Sequence, residues 1–184
     1  MNIYIVRHGQ TNWNKEGRYT GRLNIQINDK GIEQAYITKE KLKNITFDKI
    51  YSSPLIRAIK TAKIIRNQDI IIDERIIERS NGDLEGKLKT EIKDIIDFND
   101  PNSNKYNIEP IDKFRKRINN FLDEITSDLT SNNILIVTHA GVGIYMRCYF
   151  EGEPPNKNYN KYKINNCEII KYNDKRLSSN LKLH

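Results

Sequence analysis

Two short runs constrain this chain more than anything else in it: Ile3-Tyr4-Ile5-Val6 and Ile134-Leu135-Ile136-Val137. Neither alternates apolar with polar side chains, so each reads as a strand covered on both faces. Further strand signals lie at Lys49–Ser52, Ile70–Ile72 and Glu168–Tyr172. Helical stripes separate them. Ile32, Ala35, Tyr36 and Leu42 form one, and Leu55, Ala58, Ile59, Ala62 and Ile65 a second. The clearest runs through Phe114, Ile118, Phe121, Leu122, Ile125 and Leu129. Strands alternating with helices predict an α/β architecture, a three-layer sandwich with a mostly parallel central sheet flanked by helices.

Each apolar run also ends the same way. Val6 leads into Arg7-His8-Gly9, and Val137 leads through Thr138 into His139-Ala140-Gly141. The chain holds 3 histidines and the third, His184, is its last residue, so both internal histidines stand where a buried strand runs out. In open parallel sheets, ligands bind beyond the carboxyl ends of the strands. Two more groups are expected there. Ser52-Ser53-Pro54 follows the second strand, with Pro54 placed to open a helix and Arg57 in its first turn. Glu78 follows the third strand after the short connection Asp73–Ile77.

Two arginines, two histidines and a carboxylate in one pocket suit phosphoryl transfer. The charge of that transition state spreads over three equatorial oxygens, so catalysis is mostly positioning and electrostatics. Arg7 and Arg57 fit as permanently charged clamps with paired donors. A neutral imidazole can attack phosphorus, and His8 lies between Arg7 and Gly9, where a glycine lets substrate approach the backbone. His139 then donates to the equatorial oxygens. Glu78 protonates the leaving oxygen and afterwards activates water. No metal or other cofactor is required, because the arginines supply the positive charge.

Composition narrows the partners. The 184 residues suit one domain spanning 1–184, with the tail after about residue 174 partly disordered. No apolar run is long enough to cross a membrane. Cys148 and Cys167 show no metal spacing and suit a reduced, cytoplasmic setting. The net charge of +7 comes from lysines spread along the chain without interleaved aromatics. That argues against nucleic acid and for a field that draws in small anions. Residues 99 to 112 read as a surface loop, and Pro154-Pro155 are expected to stop the preceding helix.

The residues then meet a known pattern. Arg7-His8-Gly9-Gln10-Thr11-Asn12-Trp13-Asn14 resembles the Arg-His-Gly signature of the histidine phosphatase superfamily, in its phosphoglycerate-mutase-like branch. The resemblance continues through Gly31–Ala35, Ser52–Ala62, Glu78 with Gly82–Gly86, Thr138–Val142 and Asn166–Ile169. It implies a phosphohistidine intermediate on His8, phosphate contacts from Arg7, Asn14, Arg57 and His139, and Glu78 as proton donor. Thr20, Gly21, Arg22 and Asn81 fall at the expected substrate mouth. Asn14 equally suits a turn cap, Trp13 a packing role, and Arg117 a solvated helix face.

Departures from the pattern bear on substrate. Asn24, Gln26-Ile27 and Asn28 replace commoner residues, Asn81 and Leu84 stand where aromatics are expected, and Ile108-Glu109-Pro110 replaces a Gly-Glu-Ser turn. Hydrolysis of a small phosphorylated metabolite is the expected activity. Sugar phosphates, phosphoglycerates, α-ribazole phosphate and nucleotide derivatives are the substrate classes that the resemblance implies. Phosphoryl transfer between hydroxyls by a phosphoglycerate mutase would use the same pocket, but the short chain leaves little room for substrate-binding insertions. A silent phospho-ligand-binding scaffold is the reading from another class. A zinc hydrolase on His8, His139 and Glu78 is disfavoured because Arg7 would repel the cation.

Overall fold

The computed structural model describes residues 1–92, 106–128 and 130–173. Five strands form one sheet: β1 (Asn2–Arg7), β2 (Lys49–Ser52), β3 (Ile71–Ile72), β4 (Asn133–Thr138) and β5 (Ile169–Asn173). Their order is β3-β2-β4-β1-β5. The first four run parallel, and β5 pairs antiparallel on the far side of β1. The expected mostly parallel sheet is therefore present, with one reversed strand at its border.

Both faces of the sheet are covered, as the unbroken apolar runs require. Ile3, Ile5, Ile134, Ile136 and Tyr51 face one side. They pack there with Phe114, Ile118, Phe121, Leu122 and Ile125 of α5 (Ile111–Ser127) and with Val142 and Met146 of α6 (Ala140–Glu151). Tyr4, Val6, Leu135, Val137 and Ile50 face the other. They meet Leu42 of α2 (Asp29–Leu42) and Ala58, Ala62 and Ile65 of α3 (Ile56–Ile65). Two short helices, α1 (Asn12–Glu16) and α4 (Lys89–Ile92), lie outside these layers in the chain order.

Several expectations shift in detail. Tyr36 faces solvent, and α2 buries Gly31, Ala35, Thr38 and Leu42 instead, because its inner face packs backbone close to α3 and the loop after β1. Pro54 does not open α3: Leu55 is the N-cap and Ile56 the first helical residue. Gly152, at φ 83, caps α6 before the two prolines are reached. Ile108 is buried with Leu84 and Ile92 and is not part of a surface loop. Leu129, residues 99 to 105 and the tail after 173 lie outside the described residues.

Register decides what the sheet presents at its carboxyl edge. Arg7 of β1 pairs with Thr138 of β4, and the His8 amide donates to the Thr138 carbonyl at 2.8 Å. The residues that follow the two strands, His8 and His139, are thus neighbours by construction. Ser52 of β2 pairs with Val137, and the Ser53 amide donates to the Val137 carbonyl at 3.1 Å, which sets Ser53 beside them. The Thr138 hydroxyl donates to the Ile76 carbonyl at 2.8 Å, tying the segment ahead of Glu78 to the same edge.

The loop after β1 is pinned from two helices. The Gly9 amide donates to the Thr61 hydroxyl of α3 at 3.0 Å, and the Gln10 amide to the Gln34 side chain of α2 at 3.0 Å. A Cβ on Gly9 would stand 2.5 Å from the Gly31 carbonyl oxygen. Gly9 therefore lies in close contact with α2 backbone. Gly9→Ala is expected to cost about 1–3 kcal/mol, since backbone cannot rotate away. A lower urea midpoint at unchanged m-value would register the loss.

Candidate active site

A cavity of about 220 Å³ opens at the carboxyl edge of the sheet. Arg7, His8, Asn14, Thr20, Gly21, Arg57, Glu78 and Asn81 all line it, together with Arg18, Tyr19, Arg79, Lys89, Phe114 and Tyr145. A larger hollow of about 560 Å³ lies at the opposite edge, around Phe47, Asp48 and Asp69, and offers neither histidine nor arginine.

His8 is 4% exposed, and its Nδ1 lies 2.7 Å from the Gly9 carbonyl oxygen. A carbonyl can only accept, so Nδ1 carries the proton and the neutral ring keeps its lone pair on Nε2. Burial, and then the charges of Arg57 and Arg7, hold the His8 pKa well below its ordinary 6.5.

His139 stands behind His8, with ring centroids 5.1 Å apart, and does not itself line the cavity. Arg57 Nε donates to His139 Nδ1 at 3.3 Å, which places the proton of the neutral ring on Nε2, 2.7 Å from the Ser53 hydroxyl. Burial and the Arg57 charge hold this histidine neutral too.

The two arginines are the sharpest electrostatic feature. Arg57, 1% exposed, donates to the carbonyls of Leu23 and Gly21, each at 2.7 Å. Arg7 donates to the Ile164 carbonyl at 2.9 Å, while its buried Nε has no partner among the described residues. Among the described residues neither forms an ion pair. Burial lowers both pKa values, Arg57 to about 10, and outweighs the opposing charge of Glu78 nearby. Buried cations of this kind are costly until an anion reaches them.

The remaining predicted residues divide. Asn14 accepts from the Thr11 amide in a capping box and from Asn166 Nδ2 at 3.2 Å, so it caps α1 and also faces the cavity. The buried Thr20 hydroxyl has no partner among the described residues. The Glu78 carboxylate accepts from the amides of Arg79 at 2.9 Å and Gly141 at 3.1 Å. Arg22 does not line the cavity. It donates to the Glu78 carbonyl and pairs with Glu109 at 3.1 Å. Glu109 likewise lies behind the cavity and not at its mouth, and Arg117, expected in solvent, is clamped on it. Among the described residues no three histidine, cysteine or carboxylate side chains gather as a metal site would need. Nor is any helix long and apolar enough to cross a membrane.

Residues 3–181 match the model of the histidine phosphatase superfamily, branch 1. The chain belongs to that superfamily. It is 33% identical over 153 residues to phosphoglycerate mutase-like protein 4 of Arabidopsis thaliana, covering 76% of this chain and 66% of the plant protein. It is 30% identical over 150 residues to phosphoserine phosphatase 1 of Hydrogenobacter thermophilus, covering 76% of this chain and 71% of that one. The crystal structure of the alpha-ribazole phosphatase from Shigella flexneri superposes with a TM-score of 0.79 at 26% identity, over 90% of this chain and 87% of the other.

The depressed histidines tie stability to pH in a definite direction. Below 6.5 the unfolded chain takes up protons on His8 and His139 that the folded chain refuses, so stability falls as pH falls. Each group contributes up to about 1.4 kcal/mol per pH unit until its folded pKa is reached. Melting temperatures between pH 7.5 and 5 should show this decline, with a shallower slope in His139→Gln.

Proposed function

We propose that this superfamily member is a phosphatase that hydrolyses small phosphomonoesters through a phosphohistidine on His8. The observation that carries the reading is the neutral, buried His8 set beside two buried guanidinium groups that form no ion pair among the described residues. Arg7 and Arg57 bind the phosphoryl oxygens, with Asn14 at the cavity wall. His139, whose Nε2 proton faces Ser53, accepts from Arg57 Nε and so holds the orientation of that guanidinium from behind the ring of His8. The relatives named for phosphoserine and alpha-ribazole act, by name, as phosphatases, which favours hydrolysis over transfer between hydroxyls.

In the first step the Nε2 lone pair of His8 forms the N–P bond as the P–O ester bond breaks. The carboxyl proton of Glu78 moves to the departing oxygen. In the second, Glu78 takes a proton from water, the resulting oxygen attacks phosphorus, and the N–P bond breaks to release inorganic phosphate. Positive charge for both steps comes from side chains, so the reaction proceeds without a metal ion.

The cavity size sets the scale of the substrate. At about 30 Å³ per water, 220 Å³ holds roughly seven, enough for a phosphate and a short substituent. Arg18, Arg79 and Lys89 also line it, against Glu78 as the one carboxylate among the described residues, a balance that suits small anionic metabolites.

Purified protein should release phosphate from alkyl and aryl phosphate monoesters in EDTA. His8→Ala should fall to background and lose acid-labile phosphoryl labelling, and Glu78→Gln should slow alkyl ester turnover by about 10²–10⁴-fold. Isomerisation of 3-phosphoglycerate without phosphate release would instead make the chain a mutase. Activity lost to chelator and restored by zinc would overturn the metal-free step.

A further inference from the structure

Three charged side chains that do not line the cavity converge on the back of Glu78. Its main-chain carbonyl accepts from Arg22 Nε and from Arg117 Nη2, each at 3.2 Å. Arg117, on α5, is itself fixed by Glu109, whose carboxylate takes its Nε at 2.9 Å and its Nη2 at 3.0 Å. Arg22 reaches the same carboxylate at 3.1 Å. Arg117 also donates through Nη1 to the Arg75 carbonyl at 2.5 Å, so it spans the segment that carries Glu78 at two points.

Glu109 is locked to that segment by its own backbone as well. Its amide donates to the Ser80 carbonyl at 3.0 Å, and its carbonyl accepts from Arg79 Nε at 2.8 Å. Its side chain is only 12% exposed. Burial works against its charge, but the bond and charge of Arg117 and the charge of Arg22 outweigh it and hold the carboxyl below its usual range. The Arg117 guanidinium lies over the ring of Phe114, 4.7 Å from its centroid, and Phe114 forms part of the cavity wall.

At the other side of Glu78, the fit leaves no slack. A Cβ on Gly141 would come within 2.6 Å of Glu78 Oε1. The carboxylate is therefore aimed from the front by two amides and anchored from behind by an ion-paired clamp.

We infer that Glu109 and Arg117, together with Arg22, are positioning residues for proton transfer, holding the Glu78 backbone so that its carboxyl group meets the leaving oxygen. This rests on the reading of Glu78 as the proton donor. A proton moves only across about 2.6–3.2 Å between heavy atoms, and a misplacement of about 1 Å costs on the order of 10²-fold. The clamp acts on that distance. Phosphate binding by Arg7 and Arg57 proceeds without it.

Leaving-group dependence separates this role from a general structural one. An alkoxide needs the proton as it departs, whereas p-nitrophenolate leaves without it. The comparison uses kcat/KM for β-glycerophosphate and p-nitrophenyl phosphate, which stops at phosphorylation of His8 and excludes the later attack of water. In Arg117→Met and in Glu109→Gln the alkyl-to-aryl ratio should fall about tenfold or more, and Arg117→Lys, which keeps a charged donor without the paired geometry, should recover part of it. If Arg117→Met fails to fold, Glu109→Gln carries the test. Glu78→Gln is the reference: an unchanged ratio there removes the proton-donor reading itself. A lowered ratio there, with both clamp variants slowing the two esters equally or neither, removes the positioning inference alone.

Discussion

Everything at the site depends on the in-register parallel pairing of β1 with β4. Because Arg7 lies opposite Thr138, the next residue of each strand is a histidine, and the two rings come to rest 5.1 Å apart. A shift by one residue would send every side chain of β1 to the other face of the sheet. Ile3 and Ile5 would then leave the α5 and α6 layer while Tyr4 and Val6 left the α2 and α3 layer. The apolar content of both layers thus specifies where the imidazoles stand, and packing energy maintains the catalytic geometry.

The edge so defined holds an excess of positive charge, with Glu78 set against Arg7 and Arg57. Arg57 is buried among main-chain carbonyls and a histidine nitrogen, and Arg7 keeps a buried Nε without an acceptor among the described residues. Dipoles of carbonyls soften the cost of burial but do not cancel a full charge. Burial depresses both histidines and the same two cations add to it, so the arrangement that prepares an anion site also keeps the nucleophile neutral. Folding stability is given up at this edge, and the thick apolar layers on either side of the sheet supply it.

Much of this is written in the chain. Strands buried on both faces announce themselves as unbroken apolar runs, and a residue type as distinctive as histidine at the end of two such runs marks one edge. Arg57 and Glu78 follow from the same logic of strand ends. What stayed hidden is pairing between segments far apart in sequence. Arg117 sits on a helix whose apolar stripe is unmistakable, and a charge off that stripe reads as solvated; only the return of Glu109 against residues 79 and 80 covers it. Gly9 is legible as a close approach, but not which backbone approaches. His139 is legible as a site residue, but its place behind His8, bonded to Arg57 and Ser53, depends on side-chain directions that no spacing encodes.

The border strand β3 carries one last consequence. It contributes only Ile71 and Ile72, both exposed, and it is followed at once by Asp73, whose carboxylate is paired with Arg75. An open sheet margin invites another molecule to add a strand and propagate into fibrils, and its reach grows with the number of free amides it displays. Two residues offer too brief a template, and the charged pair beside them penalises any longer addition. Brevity at this margin is how a sheet rich in isoleucine guards against self-templated aggregation.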